Sequence, residues 1–228
     1  MEIRRVGLEA CAGLTGTVVA VDVLRSFTTA AFAVAAGAGA LHAADGAQHA
    51  RELIDRIPGA LTIGSLPGGA PIQGFDLPNS PARLAGRALA GQPIVMSTAG
   101  GVRSLLASSN ADLLLATSLV CASATARLLR RSAPARVTFV ITGIWTDRDG
   151  DEDYACADLI EALLADETVD PAPFEARVRN SDFGRRFTGE PDSPLPVADL
   201  ECCARADRFD FALRAQRDGA NMVLVPVR

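Results

Sequence analysis

Aliphatic and β-branched runs alternate with helical stretches along most of the chain, the pattern of βα units around a largely parallel sheet. Thr17–Val23 (TVVAVDV) is the strongest strand, and its near-continuous apolar character fits a strand covered on both faces. Ser26–Ala36 reads as a helix, with Ser26 or Thr28 as its N-cap and Gly37 as its stop. The same alternation predicts a short strand at Ala40–Ala43, a helix at Gly46–Ile57 and a strand at Leu61–Ile63. A loop from Gly64 to Pro81 follows, with four prolines and four glycines. Beyond it come strand Ile94–Ser97, helix Val102–Ala107, strand Asp112–Thr117, helix Cys121–Arg131, strand Val137–Thr142 and helix Asp151–Ala165. The tail is less regular: Phe174–Phe187 and Glu201–Arg205 read as helices, and Met222–Val227 as a closing strand, antiparallel or at an edge. The expectation is a layered α/β fold with a largely parallel or mixed sheet, one compact domain over residues 1–228.

Composition narrows the chemistry. All 22 basic residues among the 228 are arginine. Without lysine there is no Walker phosphate loop, no Schiff base and no Ser-Lys or Asp-Lys-Cys catalytic set. Cationic help must come from Arg, a metal or backbone N–H groups. The net charge of −5 argues against a nucleic-acid partner. Five cysteines, an odd number without a CxxC pair, read as reduced thiols in a cytoplasm. No continuous apolar segment suits a signal peptide, and the Ala-rich run Thr28–Ala44 is too short and interrupted to span a bilayer. The chain reads as soluble and cytoplasmic, without membrane or nucleic-acid partners; assembly into a homo-oligomer is left open.

Ligands of open α/β sheets collect beyond the carboxyl ends of the strands, and four segments put polar groups there. Asp22 ends the best strand, where an acid needs a cation or hydrogen-bond donors. Arg25, Ser26, Thr28 and Thr29 follow it and suit an anion; equally, Asp22 could pair with Arg25 or cap the helix. The Gly64–Pro81 loop offers Asp76, Asn79 and Ser80, either toward a ligand or in Asx turns. Ser97–Arg103 is a Gly-rich strand-to-helix turn in which Gly100 and Arg103 suggest an anion cradle. Asp147–Asp153 carries five acids in seven residues, which fails as an EF-hand and fits either a solvated loop or a hard-oxygen site. Asp22, Asp76 and Glu152, with Asp153 beside it, would suit Mg²⁺. A cysteine hydrolase of the isochorismatase kind finds its nucleophile turn in Thr117–Ala126, around Cys121, but lacks the lysine that family needs; Cys121 reads rather as a buried small hydrophobe.

At these segments the chain resembles the 2-phosphosulfolactate phosphatase family. The resemblance is carried by Asp22-Val-Leu-Arg-Ser-Phe-Thr-Thr29, Gly74-Phe-Asp-Leu-Pro-Asn-Ser-Pro81, the Ser97–Arg103 turn and Glu152-Asp-Tyr-Ala-Cys-Ala157. It extends through Gly184-Arg-Arg186 and Cys203–Arg208 to the last strand. It implies a Mg²⁺-dependent α/β phosphomonoesterase that cleaves a small phosphorylated acid such as 2-phospho-3-sulfolactate to sulfolactate and phosphate. Asp22, Asp76 and Glu152 would hold the metal. Asp22, Arg25, Asp76 and Arg103 would be catalytic. Ser26, Thr28, Thr29, Asn79, Ser80, Gly100 and Arg185 would bind substrate. The chain departs from the family pattern at Ser65-Leu66, where Glu-Arg is usual, and at Pro78, Ala99-Gly100-Gly101 and Phe183. Those departures set up the alternative of a catalytically weakened, anion-binding paralogue.

Overall fold

A computed structural model describes residues 1–165, 168–190 and 192–228. The strands are β1 (Glu2–Gly7), β2 (Thr17–Val21), β3 (Leu41–Ala43), β4 (Leu61–Ser65), β5 (Leu77–Pro78), β6 (Ile94–Thr98), β7 (Leu113–Thr117), β8 (Arg136–Ile141), β9 (Ile144–Trp145), β10 (Arg148–Asp149), β11 (Ala212–Asp218) and β12 (Asn221–Val227). The helices are α1 (Ser26–Ala35), α2 (Gly46–Ile54), α3 (Gly101–Ala107), α4 (Ala122–Ser132), α5 (Asp151–Leu164), α6 (Ala172–Asn180) and α7 (Val197–Cys203). Among the described residues, ten strands form one mixed sheet in the order β1-β8-β2-β7-β11-β12-β3-β6-β4-β5, and β9 and β10 form a separate hairpin.

The predicted βα alternation is present, and the sheet is mixed for a specific reason. β1, β8, β2 and β7 are mutually parallel, as are β3, β6, β4 and β5. Between these blocks lies the β11–β12 hairpin, antiparallel to β7 on one side and to β3 on the other. The closing strand is therefore central rather than at an edge. Across β7-β11-β12-β3 every neighbour is antiparallel, so the two blocks run in opposite directions. Their carboxyl ends nevertheless meet, because Ser26 at the end of β2 bonds Thr98 at the end of β6, Oγ to Oγ1 at 3.0 Å. That contact requires the sheet to curl.

The sequence of α1 explains what it curls around. Residues Ser26–Ala33 are all buried, on every side of the helix. A helix with only small and apolar residues around its circumference must be enclosed. One sheet face packs Val18, Ala20, Ile94, Met96, Leu213 and Leu224 around Phe27, Phe32 and Leu105 of α1 and α3. The other face packs Val19, Val21, Phe139 and Ile141 under α4 and α5. A smaller cluster seats α2 through Ala50 and Leu53 on Val95.

Several boundaries differ from the sequence reading. The Phe174–Phe187 helix is α6 followed by a 3₁₀ turn at Gly184–Arg186, because Ser181 is extended and its Oγ accepts from the Gly184 N–H. Neither Ser26 nor Thr28 caps α1. Asp22 takes that role from outside the helix, its Oδ1 accepting the Ser26 N–H at 2.8 Å.

Candidate active site

The curl brings the ends of β2, β4, β6 and β8 around one cleft with an empty volume of about 490 Å³. Asp22, Arg25, Ser26, Ser65, Asn79, Thr98, Gly100, Thr142, Trp145, Arg148, Glu152, Asp153 and Phe183 are among its walls. Asp22 is buried, its Oδ1 held by the Ser26 amide and its Oδ2 by the Ser26 hydroxyl at 2.7 Å. Space around it depends on glycine. A Cβ on Gly100 or Gly101 would sit 3.0 or 2.9 Å from Asp22 Oδ2, and a Cβ on Gly143 would sit 2.6 Å from Glu152 Oε1. No side chain fits at those three positions without displacing a carboxylate.

Three acids, Asp22, Glu152 and Asp153, line this point of the cleft. Asp153 is fully enclosed, and its oxygens accept from the amides of Val23, Thr142 and Gly143 and from the Thr142 hydroxyl. It ties the ends of β2 and β8 together, with one donor on Oδ1 and three on Oδ2. Its pKa lies well above the ordinary value, through burial first and the charges of Glu152 and Asp22 next. Glu152 Oε2 is buried with no hydrogen-bond partner among the described residues. Burial, aided by the Asp22 charge, raises the Glu152 pKa from 4.5 to about 7, against the opposing influence of Arg148.

A pH signature follows. An acid whose folded pKa is raised keeps its proton where the unfolded chain has already lost it. The contribution of Glu152 to the stability of the metal-free protein therefore falls as pH rises from 4.5 to about 7 and levels off above. The rise is equivalent to about 3 kcal/mol as an upper figure for this residue. Urea unfolding at pH 5 and pH 7.5 should show that loss in the wild type and a flatter profile in Glu152→Gln. Identical profiles would mean that Glu152 is not desolvated as described.

Among the residues expected from sequence, Asp22, Arg25, Ser26, Asn79, Gly100 and Glu152 line the cleft. The others do not. Asp76 faces Thr62, its Oδ2 accepting from the Thr62 amide and hydroxyl at 2.8 and 2.7 Å, and so locks the Gly64–Pro81 segment onto β4. The expected Asp22–Asp76–Glu152 metal set is thus not assembled, and no cage of three acid, His or Cys side chains exists among the described residues. Ser80 donates to Asp199, away from the cleft. Thr28 donates to the Val23 carbonyl, and Thr29 lies wholly inside the α1 packing. Arg103 is exposed beside Glu9, because the buried face of α3 is Gly101, Val102, Ser104 and Leu105. Arg185 is exposed on Asp182.

Arg25 is in the wall but already neutralised. Its Nη1 donates to Asp199 Oδ2 at 2.7 Å and to the Pro194 carbonyl, and its Nη2 donates to the Gly69 carbonyl. Arg148 is the cleft cation that sequence reasoning passed over, hidden in a run of five acids. The Cys121 thiol is buried and its pKa is pushed far up by desolvation, which removes the thiolate that cysteine-hydrolase chemistry needs.

No helix among the described residues is long and apolar enough to cross a membrane. The family model for 2-phosphosulpholactate phosphatase matches residues 7–186. The chain is 29% identical over 202 residues to a probable 2-phosphosulfolactate phosphatase of Bacillus subtilis, covering 88% of this chain and 87% of that protein. It is 35% identical over 218 residues to one of Carboxydothermus hydrogenoformans, covering 91% and 89%, and 33% identical over 226 residues to one of a Synechococcus strain, covering 91% and 92%. Cleft residues Asp22, Asn79 and Glu152 all fall inside the matched span. On a similarity that covers the cleft and most of the fold, the chain belongs to the 2-phosphosulpholactate phosphatase family.

Proposed function

We propose that the chain is a phosphoric monoester hydrolase that depends on Mg²⁺ and acts on a small phosphorylated acid such as 2-phospho-3-sulfolactate. The observation that carries this reading is the presence, in the strand-end cleft of a chain from this family, of a donor-held Asp22 and a buried Glu152 whose Oε2 has no hydrogen-bond partner among the described residues. Two such oxygen donors fit Mg²⁺, which usually takes one or two carboxylates and completes its shell with waters and substrate phosphate. Asp22 and Glu152 would hold it; when bound, it neutralises charge on phosphoryl oxygens and lowers the pKa of water. The chain's own part is positioning. Ser26 fixes the Asp22 carboxylate, Asp153 clamps the two strands that carry the site, and the glycines leave room for a phosphoryl group. Asn79, with a buried Oδ1 lacking a partner among the described residues and an Nδ2 that donates to Ser65 Oγ at 3.4 Å, offers the neutral wall. Five free thiols support a reducing, cytoplasmic setting.

A second reading rests on Ser65 and Leu66, which line the cleft where the family pattern has Glu-Arg. A charge pair lost from the wall is consistent with a paralogue that binds anions and turns them over weakly. One assay separates the two: phosphate release from a panel of phosphorylated 2-hydroxy acids, after chelation and again with Mg²⁺ restored. Mg²⁺-restored turnover is the expected result. Binding of the panel without phosphate release would assign the second reading, and neither binding nor release would overturn both.

A further inference from the structure

We infer that the surface formed by the Gly64–Pro81 segment and residues 192–197 docks a second copy of this chain. The two copies are related by a two-fold axis and joined by reciprocal Arg83–Asp192 pairs.

A second hollow, with an empty volume of about 710 Å³, shares Arg25 and Gly69 with the cleft. The rest of its lining is of another kind: Pro71, Ile72, Phe75, Pro78, Pro194 and Pro196 supply an apolar face. Pro71 and Pro194 are exposed, and the other four are half-buried. Prolines have a fixed φ, so this rim has little backbone freedom to lose when a partner docks. Val197 follows Pro196 and is 43% exposed; Leu66, in the turn that supplies Gly69, is 50% exposed. These are two of the four large apolar side chains left exposed among the described residues, and both border this hollow. The buried polar groups of the lining are already engaged. Arg25 donates to Asp199 and to the Gly69 and Pro194 carbonyls, and Ser80 donates to Asp199. A small polar ligand would find those donors spent, whereas an apolar side chain from a protein surface needs none of them.

The charges at the rim say which protein surface that is. Arg83 and Asp192 both line the hollow, and neither side chain has a hydrogen bond or ion pair among the described residues. Opposite charges left unpaired around one apolar patch make that patch complementary to itself. A two-fold rotation sets Arg83 against Asp192 of the partner subunit, and by symmetry does so twice. The same rotation carries the exposed Val197 of each copy toward the hollow of the other. An apolar centre ringed by a few charged pairs is the ordinary anatomy of a protein interface. An unrelated partner would require only one sign of charge here; the presence of both favours a second copy.

Analytical ultracentrifugation of the full chain, at tens of micromolar and low salt, should show a dimer. Val197→Asp, which places a charge at the apolar centre, should raise the dissociation constant by roughly 100-fold. Arg83→Asp and Asp192→Arg should each raise it by roughly 10-fold or more, because each variant on its own meets two like-charge contacts. Mixed in equal amounts, these two variants should dimerise again. One copy is then negative at both rim positions and the other positive at both, so both contacts attract. Recovery in the mixture also shows that neither variant is misfolded. A wild type that stays monomeric overturns the inference and leaves the hollow to a different occupant. A wild-type dimer indifferent to all three substitutions overturns it as well, since the interface would then lie elsewhere. Loss of the dimer in both charge variants without recovery in the mixture overturns the two-fold pairing on which it rests.

Discussion

Asp22→Asn is expected to lower kcat/KM for Mg²⁺-supported phosphate release by about 10³, the scale of losing one preorganised electrostatic group, with no loss of melting temperature. The local packing tolerates the change. An asparagine Oδ1 still accepts the Ser26 amide, and the Ser26 hydroxyl can turn toward Thr98, already 3.0 Å away. What disappears is charge, at a point where the Asp22 carboxylate adds to the burial that raises the proton affinity of Glu152 and Asp153. Removing one of three crowded carboxylates stabilises the metal-free fold if it does anything, while it removes a held oxygen anion from the proposed cation site. Activity and stability should move apart. Calorimetric Mg²⁺ titration should show weaker binding in the variant, and thermal unfolding should show an equal or higher midpoint. A variant that retains more than a tenth of wild-type kcat/KM would remove Asp22 from the chemistry.

Asp22 was legible because an acid on an apolar strand needs an explanation wherever the strand goes. The βα rhythm was legible for the same kind of reason: buried parallel strands are continuous apolar runs. The central hairpin was not, since β11 reads ALRAQRD and buries only Ala212, Leu213 and Ala215. A strand that is half exposed and rich in charge looks like irregular tail. With β11 unseen, neither the reversal between the blocks nor the curl could be anticipated. The site suffered in a related way. Arg103 and Arg185 were chosen for their proximity to motifs, but helix phase and a neighbouring acid direct both to solvent. Arg148 was overlooked because its neighbours in sequence are acids, whereas its neighbours in space are rings.

Asp199→Ala should be the most destabilising of the substitutions considered, at about 3–5 kcal/mol, the usual cost of stripping one partner from a buried ion pair. For a domain of this size that corresponds to a fall of roughly 10 °C in Tm. Asp199 is fully buried and accepts from Arg25 Nη1 at 2.7 Å, from Ser80 Oγ at 2.6 Å and from the Ala82 amide at 3.0 Å. Alanine leaves a buried guanidinium uncompensated and two donors unsatisfied. The partner sits 174 positions away in sequence, which is why Arg25 beside Asp22 looked like an anion receptor. The two assignments predict opposite outcomes. If Arg25 served the substrate phosphate, deleting Asp199 would release its charge and tighten anion binding. With Arg25 as a structural cation, deletion loosens the turn it holds through the Gly69 and Pro194 carbonyls, and anion affinity falls with stability. The double variant Arg25→Met/Asp199→Leu, which removes both charges, should recover most of the lost Tm. Phosphate binding measured beside the melts decides between the assignments: tighter binding in Asp199→Ala would restore Arg25 to the substrate site.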